Sequence, residues 1–195
     1  MANENPNTPM GLRPVGTIGS AGYTGRVKTF ATSTSDTTAI GIGDAVILTD
    51  TGDAAGVQVV SRLTTAGTTM IVGAVVGIVP DPTNLTVGYR AASTATKVLV
   101  DCDPNTIFEI QTGTTAATTI IGVAAVGNGC SYATGTVSTT TGNGLSVLGT
   151  TLATTAATNL KVLEVSPRVG NIVGDYCKFL VLINNHAYKA GANGL

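Results

Sequence analysis

The stretch LTVGYRAASTATKVLVDCDPNTIFEIQT, residues 85–112, contains the pattern that decides the fold class. Three runs rich in branched and aromatic residues, LTVGYRA, TKVLVDCD and IFEIQT, are separated by turn-forming segments at a spacing of roughly ten residues. Short strands at this spacing are typical of antiparallel sandwiches and barrels. The stretch therefore predicts an all-β fold, a barrel or sandwich of short antiparallel strands with little helix.

The same pattern extends through most of the chain. Residues 26–32, RVKTFAT, alternate with the period of two that a strand requires. Residues 114–129 fit either a short helix or another strand, and the Thr- and Gly-rich residues around 134–158 are predicted to form loops and hairpins with GNG turns. We therefore expect a single β domain over residues 25–195. Its further strands are predicted at residues 44–49, 57–63, 69–79, 160–167 and 176–184.

Residues 1–24 lack this pattern and are predicted to form an extended N-terminal arm. They contain three prolines, which restrict φ and remove a backbone donor, so the segment cannot be a helix interior or a central strand. The apolar side chains of Met10, Leu12 and Val15 need a surface to cover them. We expect the arm to add little to the domain's own fold and to attach to a neighbouring protein by strand addition, with Arg13 paired to a partner carboxylate.

The chain is poor in charge. Charged residues make up 11% of the chain, against about 25% in an average soluble domain, and the formal net charge is −1. Nucleic-acid binding needs a basic stripe, and none is visible, so we predict no nucleic-acid partner. We also predict no membrane partner and no secretory signal, because the first residues are polar and the most apolar run, residues 70–79, is too short for a spanning helix. Surface charge keeps protein molecules apart in solution. An exterior with few charges and many threonines therefore indicates that much of the surface contacts other protein.

His186 is the only histidine of the chain, and it follows the last predicted strand. Nucleophilic catalysis needs a base that a third group orients, and the chain has no GxSxG motif. Zinc needs three or four nitrogen or sulfur ligands, and no such motif is present. We therefore predict that His186 closes the last strand, that Asn184 and Asn185 bond turn backbone, and that none of them is catalytic.

The remaining reactive side chains also have structural explanations. The pairs Asp50/Asp53 and Asp101/Asp103 lack the alternating oxygen ligands of a calcium loop, and turn or strand-end chemistry explains them. Three widely spaced cysteines favour reduced thiols over one disulfide with a free thiol. We predict no catalytic, cofactor-binding or metal-binding residue.

Several segments together resemble one protein family. They are MGLRPVG (10–16), GYTGRVKTFA (22–31), AIGIGDAVILTDTG (39–52), VGAVVGIV (72–79), FEIQ (108–111) and LVLINNHAYKAGANGL (180–195). The likeness covers most of the chain and is to small structural proteins encoded in the head modules of tailed bacteriophages. These are cement or decoration proteins that bind the outside of the capsid.

The resemblance implies a virion protein without enzymatic activity, made in the host bacterial cytoplasm. It would lie on the outer capsid surface and stabilise the shell by bridging subunits of the major capsid protein. A homo-oligomer is expected, a trimer rather than a dimer. The residues expected at capsid or subunit contacts are Met10, Leu12, Arg13, Pro14, Val15, His186 and Tyr188. The alternatives are another phage structural component, such as a tail-tube or minor head protein, or a small hydrolase.

Overall fold

The structure is a computed structural model, which describes residues 5–19, 22–65, 67–82, 84–113, 125–154 and 158–189. These residues form eleven β-strands and no α-helix, which confirms the predicted all-β fold. The strands are β1 (Arg13–Thr17), β2 (Val27–Ala31), β3 (Ala45–Gly52), β4 (Gln58–Arg62), β5 (Gly73–Ile78), β6 (Lys97–Asp101), β7 (Thr106–Gln111), β8 (Gly129–Ala133), β9 (Val147–Ala153), β10 (Leu160–Val165) and β11 (Lys178–Ile183). Residues 114–129 were predicted to form either a helix or a strand, and residues 114–124 of this segment lie outside the described residues.

The strands form a closed barrel and a sheet. The five-stranded barrel has the order β2-β4-β3-β5-β6, and the six-stranded sheet has the order β1-β7-β11-β10-β8-β9. Pairings between the described strands are antiparallel except for β2 with β4, which are parallel and meet at Ala31 and Val59. An isolated bridge between Thr112 and Leu148 brings β9 back to the end of β7.

Two hydrophobic clusters fill the interior. The smaller one lies within the barrel and contains Phe30 with valines from four barrel strands and their flanks. The larger one lies under the sheet, where Phe108, Phe179 and Val181 alternate with outward-facing neighbours. It also includes four residues of the barrel side of the molecule, so barrel and sheet pack on a shared core. These four are Ala45, Leu63, Ile71 and Ala74.

A buried ion pair also joins the barrel to the sheet. The Arg62 Nε lies 3.1 Å from Asp44 Oδ2, and both side chains are buried. Ser146, in the hairpin that connects β8 and β9, donates to Asp44 Oδ1 at 3.0 Å, and Arg62 donates to the Gly135 carbonyl of the same hairpin. Burial raises the pKa of the Asp44 carboxyl, while Arg62 opposes that shift. In the Thr- and Gly-rich segment that was predicted to form loops and hairpins, β9 pairs with β8 as a hairpin, and a bridge joins Val137 to Gly144 in the connection between them.

The strand predicted at residues 85–91 is wrong. Only one isolated bridge, between Ile40 and Arg90, forms in this segment. The reason is Arg90, whose guanidinium is fully buried and donates to the carbonyls of Thr38, Ser33 and Thr94. Because a buried cation must have its donors satisfied, these carbonyls organise the segment as a loop around Arg90.

The N-terminal segment is not separate from the sheet. β1 pairs antiparallel with β7, from Arg13 opposite Glu109 to Thr17 opposite Thr106. Leu12 is 1% exposed and belongs to the larger hydrophobic cluster. The expectation that this segment adds little to the fold is therefore wrong for residues 12–17, and Leu12 is not a contact residue. Pro14 is compatible with β1 because β1 is an edge strand.

We expect Leu12→Ala to lower the free energy of unfolding by about 2–5 kcal/mol, because it leaves a cavity in the shared core. Val15→Ala is the matched control, since Val15 is 41% exposed and its truncation should change stability by no more than about 0.5 kcal/mol. Chemical denaturation of both variants measures the difference. Equal, small effects would mean that the segment is an arm after all.

Candidate interaction surface

Strands β1, β7 and β11 present polar side chains on the outer face of the sheet. Arg13 lies opposite Glu109, and Lys178 lies opposite Gln111. Directly opposed residues point to the same face, and residues two apart on one strand do as well. Because Phe108 lies in the core beneath them, these four side chains point away from it.

Glu109 anchors a loop across this outer face. Its Oε2 accepts a hydrogen bond from the Ser166 hydroxyl at 2.7 Å, and its Oε1 accepts one from Arg168 at 2.8 Å. Asn171 anchors the same loop a second time, by donating to the carbonyls of Ser166 and Lys178 and accepting from the Lys178 amide. The backbone of residues 166–178 is therefore bound at several points.

Residues 5–10 pack against this loop. The Asn5 side chain donates to the carbonyls of Ile172 and Asp175, at 2.6 and 2.9 Å, and accepts from the Ile172 amide at 3.0 Å. The Thr8 amide donates to the Gln111 side chain at 2.9 Å. The segment is therefore bound to the same chain, over the outer face of the sheet.

Apolar side chains remain exposed on these two bound segments. Val169 is fully exposed, and Ile172 and Val173 are about half exposed. Two shallow depressions, one of them about 150 Å³, adjoin at Lys178 and connect the segments. We call the combination the basic-apolar surface; its members are Met10, Arg13, Arg168, Val169, Ile172, Val173 and Lys178.

Two of the predicted contact residues, Met10 and Arg13, line one depression of this surface. Val15 lines neither depression; it is exposed at the β-bulge between Pro14 and Gly16. Pro14 itself is half-buried on the edge strand. His186 and Tyr188 belong to a different region, which the next paragraphs describe.

His186 is buried just after β11, next to the chain that leads into β5. It forms a bridge with Ile71 and is only 2% exposed, so its side chain is not available to a partner. Asn184 and Asn185 donate to the carbonyls of Thr158 and Thr68, which confirms their predicted role in bonding backbone. Tyr188 is partly exposed, and its hydroxyl contacts Gln58 at 2.7 Å.

The imidazole of His186 is neutral at ordinary pH. Its Nδ1 accepts a hydrogen bond from the Tyr188 amide at 3.0 Å, and its Nε2 has no hydrogen-bond partner among the described residues. Burial lowers the pKa of His186 to about 4, with the Asp103 carboxylate opposing the shift and Lys189 adding to it. The geometry is that of a packed structural residue.

The cysteines and carboxylates do not form a reactive cluster in the part of the chain that the structure describes. All three cysteines are free, and burial raises the pKa of the Cys130 thiol to about 12. The described residues contain no group of three or more His, Cys, Asp or Glu side chains that could hold a metal ion. No helix among them is long and apolar enough to cross a membrane.

The sequence interpretation assigned no contact role to the loop at residues 166–178, the connection between the last two predicted strands. Its sequence signal is PRVGNIVGD, residues 167–175, where three large apolar residues occur in a turn-rich segment between two predicted strands. Such a segment is normally polar, so exposed valines and isoleucine there indicate a contact surface.

Comparison of the chain with protein-family models, with curated proteins and with solved structures finds no match. Support for the basic-apolar surface therefore comes from the geometry of this chain alone.

We expect His186 to make stability depend on pH. Its pKa is 6.5 when unfolded and about 4 when folded, so the unfolded state binds the proton first as pH falls. Stability present above pH 6.5 is then lost on acidification, by about 2 kcal/mol from neutral pH to about pH 5.

The measurement is the free energy of unfolding of the wild type and of His186→Asn at each pH. Asp44 and Asp101 have raised pKa values and act in the opposite direction in both proteins, so the difference between the two isolates the histidine. A difference that does not change with pH would refute the assignment.

Proposed function

We propose that the chain is a structural protein that binds the outside of a bacteriophage capsid and stabilises it by bridging major capsid subunits. Attachment uses the basic-apolar surface. The viral assignment rests on the sequence likeness to capsid decoration proteins. The binding role is supported by the exposed apolar side chains of an anchored loop.

The carrying observation is that Val169 and Ile172 are exposed on backbone that is already ordered. Burial of such a side chain contributes about 1.5–3 kcal/mol. Asn5 and Asn171 bind the loop backbone in the free protein, so association has less conformational entropy to overcome. A preordered apolar loop is suited to binding another protein.

Side chains rather than an added strand make the contact in this proposal. The free edge of β1 contains Pro14 and the bulge at Val15, and Gly16 forms a bridge with Gly22. Proline and bulges are features that prevent edge-to-edge pairing. The strand addition expected from the sequence is thus disfavoured, since the free edge of β1 is interrupted by Pro14 and by the bulge.

The repeated sites of a capsid can strengthen the binding of a protein whose single interface is weak. When one shell offers many identical sites, a homo-oligomer that binds several of them gains avidity without any new contact. A trimer remains our prediction, ahead of a dimer. A hydrolase ranks lower, because the single histidine of the chain is 2% exposed and is not placed to act as a base on a substrate.

Purified virions of the phage that carries this gene test the assignment. We expect the chain in a constant ratio to the major capsid protein, with its density on the outer shell surface in an electron cryomicroscopy map. Density in the tail tube or at the portal would support the alternative of a tail or minor head protein. Absence from virions would rule out both.

The double substitution Val169→Ser with Ile172→Ser tests the surface. We expect binding to heads that lack the protein to weaken about tenfold or more, because apolar contact area is lost. The melting temperature should hardly change, because both side chains are exposed. Leu85→Ser is the matched control, since Leu85 is 75% exposed in a loop next to the barrel strands. Equal binding by all three proteins would exclude this surface.

A further inference from the structure

We infer that the basic-apolar surface binds a protein surface that bears carboxylates, and that Arg13 and Lys178 form ion pairs with these carboxylates. The inference rests on the proposed function and specifies the chemistry of the partner.

The depressions on this surface have an excess of positive charge. Their lining residues include three cations, Arg13, Arg168 and Lys178, and one carboxylate, Glu109. Both oxygens of Glu109 are occupied, one by Ser166 and the other by Arg168. One carboxylate against three cations leaves the depressions with an excess of positive charge, and Arg13 forms no ion pair with Glu109 within 4.0 Å although the two residues are directly opposed.

Arg13 and Lys178 form no ion pair within 4.0 Å among the described residues. Among the described residues, the other charged side chains on this face leave this excess positive. Lys161 and Glu164, both exposed on β10, have opposite signs and cancel, and Asp175, whose carbonyl binds Asn5, reduces the excess by one charge. A locally positive surface thus occurs on a chain whose net charge is −1.

A carboxylate-bearing protein surface satisfies this arrangement best. Contact with an apolar partner would bury two unpaired cations, which is costly unless opposite charges meet them. The planar guanidinium of Arg13 matches a carboxylate in two-point geometry. The apolar neighbours Met10 and Val169 favour a protein over a nucleic acid, whose binding requires more phosphate contacts than two free cations supply.

The test uses heads that lack the protein and compares three proteins at low and high salt. They are the wild type, the double variant Arg13→Gln with Lys178→Gln, and Lys97→Gln. Lys97 is an exposed, unpaired cation on barrel strand β6 and serves as the control. We expect the double variant to bind about tenfold more weakly and with a smaller salt dependence, and Lys97→Gln to bind as the wild type.

A carbodiimide reaction on the wild-type complex gives a second readout. It joins a lysine amine to a carboxylate as an amide, so mass spectrometry should find Lys178 linked to an Asp or Glu of the partner.

The outcomes separate the two proposals. If the double variant and the wild type bind equally at both salt concentrations, the carboxylate inference fails while the proposed function stands. If the wild type itself does not bind heads, both fail. Displacement of the wild type by competitor DNA would overturn the inference in favour of a phosphate ligand.

Discussion

The buried ion pair between Asp44 and Arg62 is the interaction on which the joining of barrel and sheet depends. Asp44 directly precedes β3 and Arg62 ends β4, so the pair lies on the barrel, while Ser146 and Gly135 bring the β8–β9 hairpin of the sheet onto it. A buried charge without its partner is strongly destabilising. Loss of either residue would therefore affect the junction as well as the barrel.

Buried charges organise the long loops as well. Arg90 donates hydrogen bonds to surrounding carbonyls, and residues 85–94 form a loop around it. Glu109 accepts hydrogen bonds that hold the loop after β10 on the outer face of the sheet. The chain has few charged residues, and several of those it has are buried at these points. The exterior is left with little charge, and the apolar side chains of the anchored loop lie beside a few exposed cations, Arg168 among them. The same distribution of charge accounts for both the anchored loops and the exposed apolar side chains of the basic-apolar surface.

The sequence predicted strands well where side-chain alternation within a few residues determines them. It predicted them poorly where contacts with residues distant in sequence determine whether a strand forms. Phe179, Val181 and Ile183 alternate with outward residues, so β11 could be predicted from period alone. Residues 85–91 have the same kind of composition, yet Arg90 requires buried acceptors and the segment forms only one isolated bridge, with Ile40. Leu12 was predicted to be buried by a partner protein. It is instead buried in the core under the sheet, and the sequence could not show this because the residues that form that core lie far along the chain.

The sequence by itself determined the all-β class, the position of most strands and the structural role of Asn184 and Asn185. These follow from side-chain alternation and turn chemistry, which act over a few residues. The tertiary structure alone decided which strands close into a barrel, that β1 joins the sheet, and that the basic-apolar surface exists. Asn5 and Ile172, whose hydrogen bonds order that surface, are 167 residues apart. No local pattern specifies such a pairing, because it depends on the packing of the whole core between them.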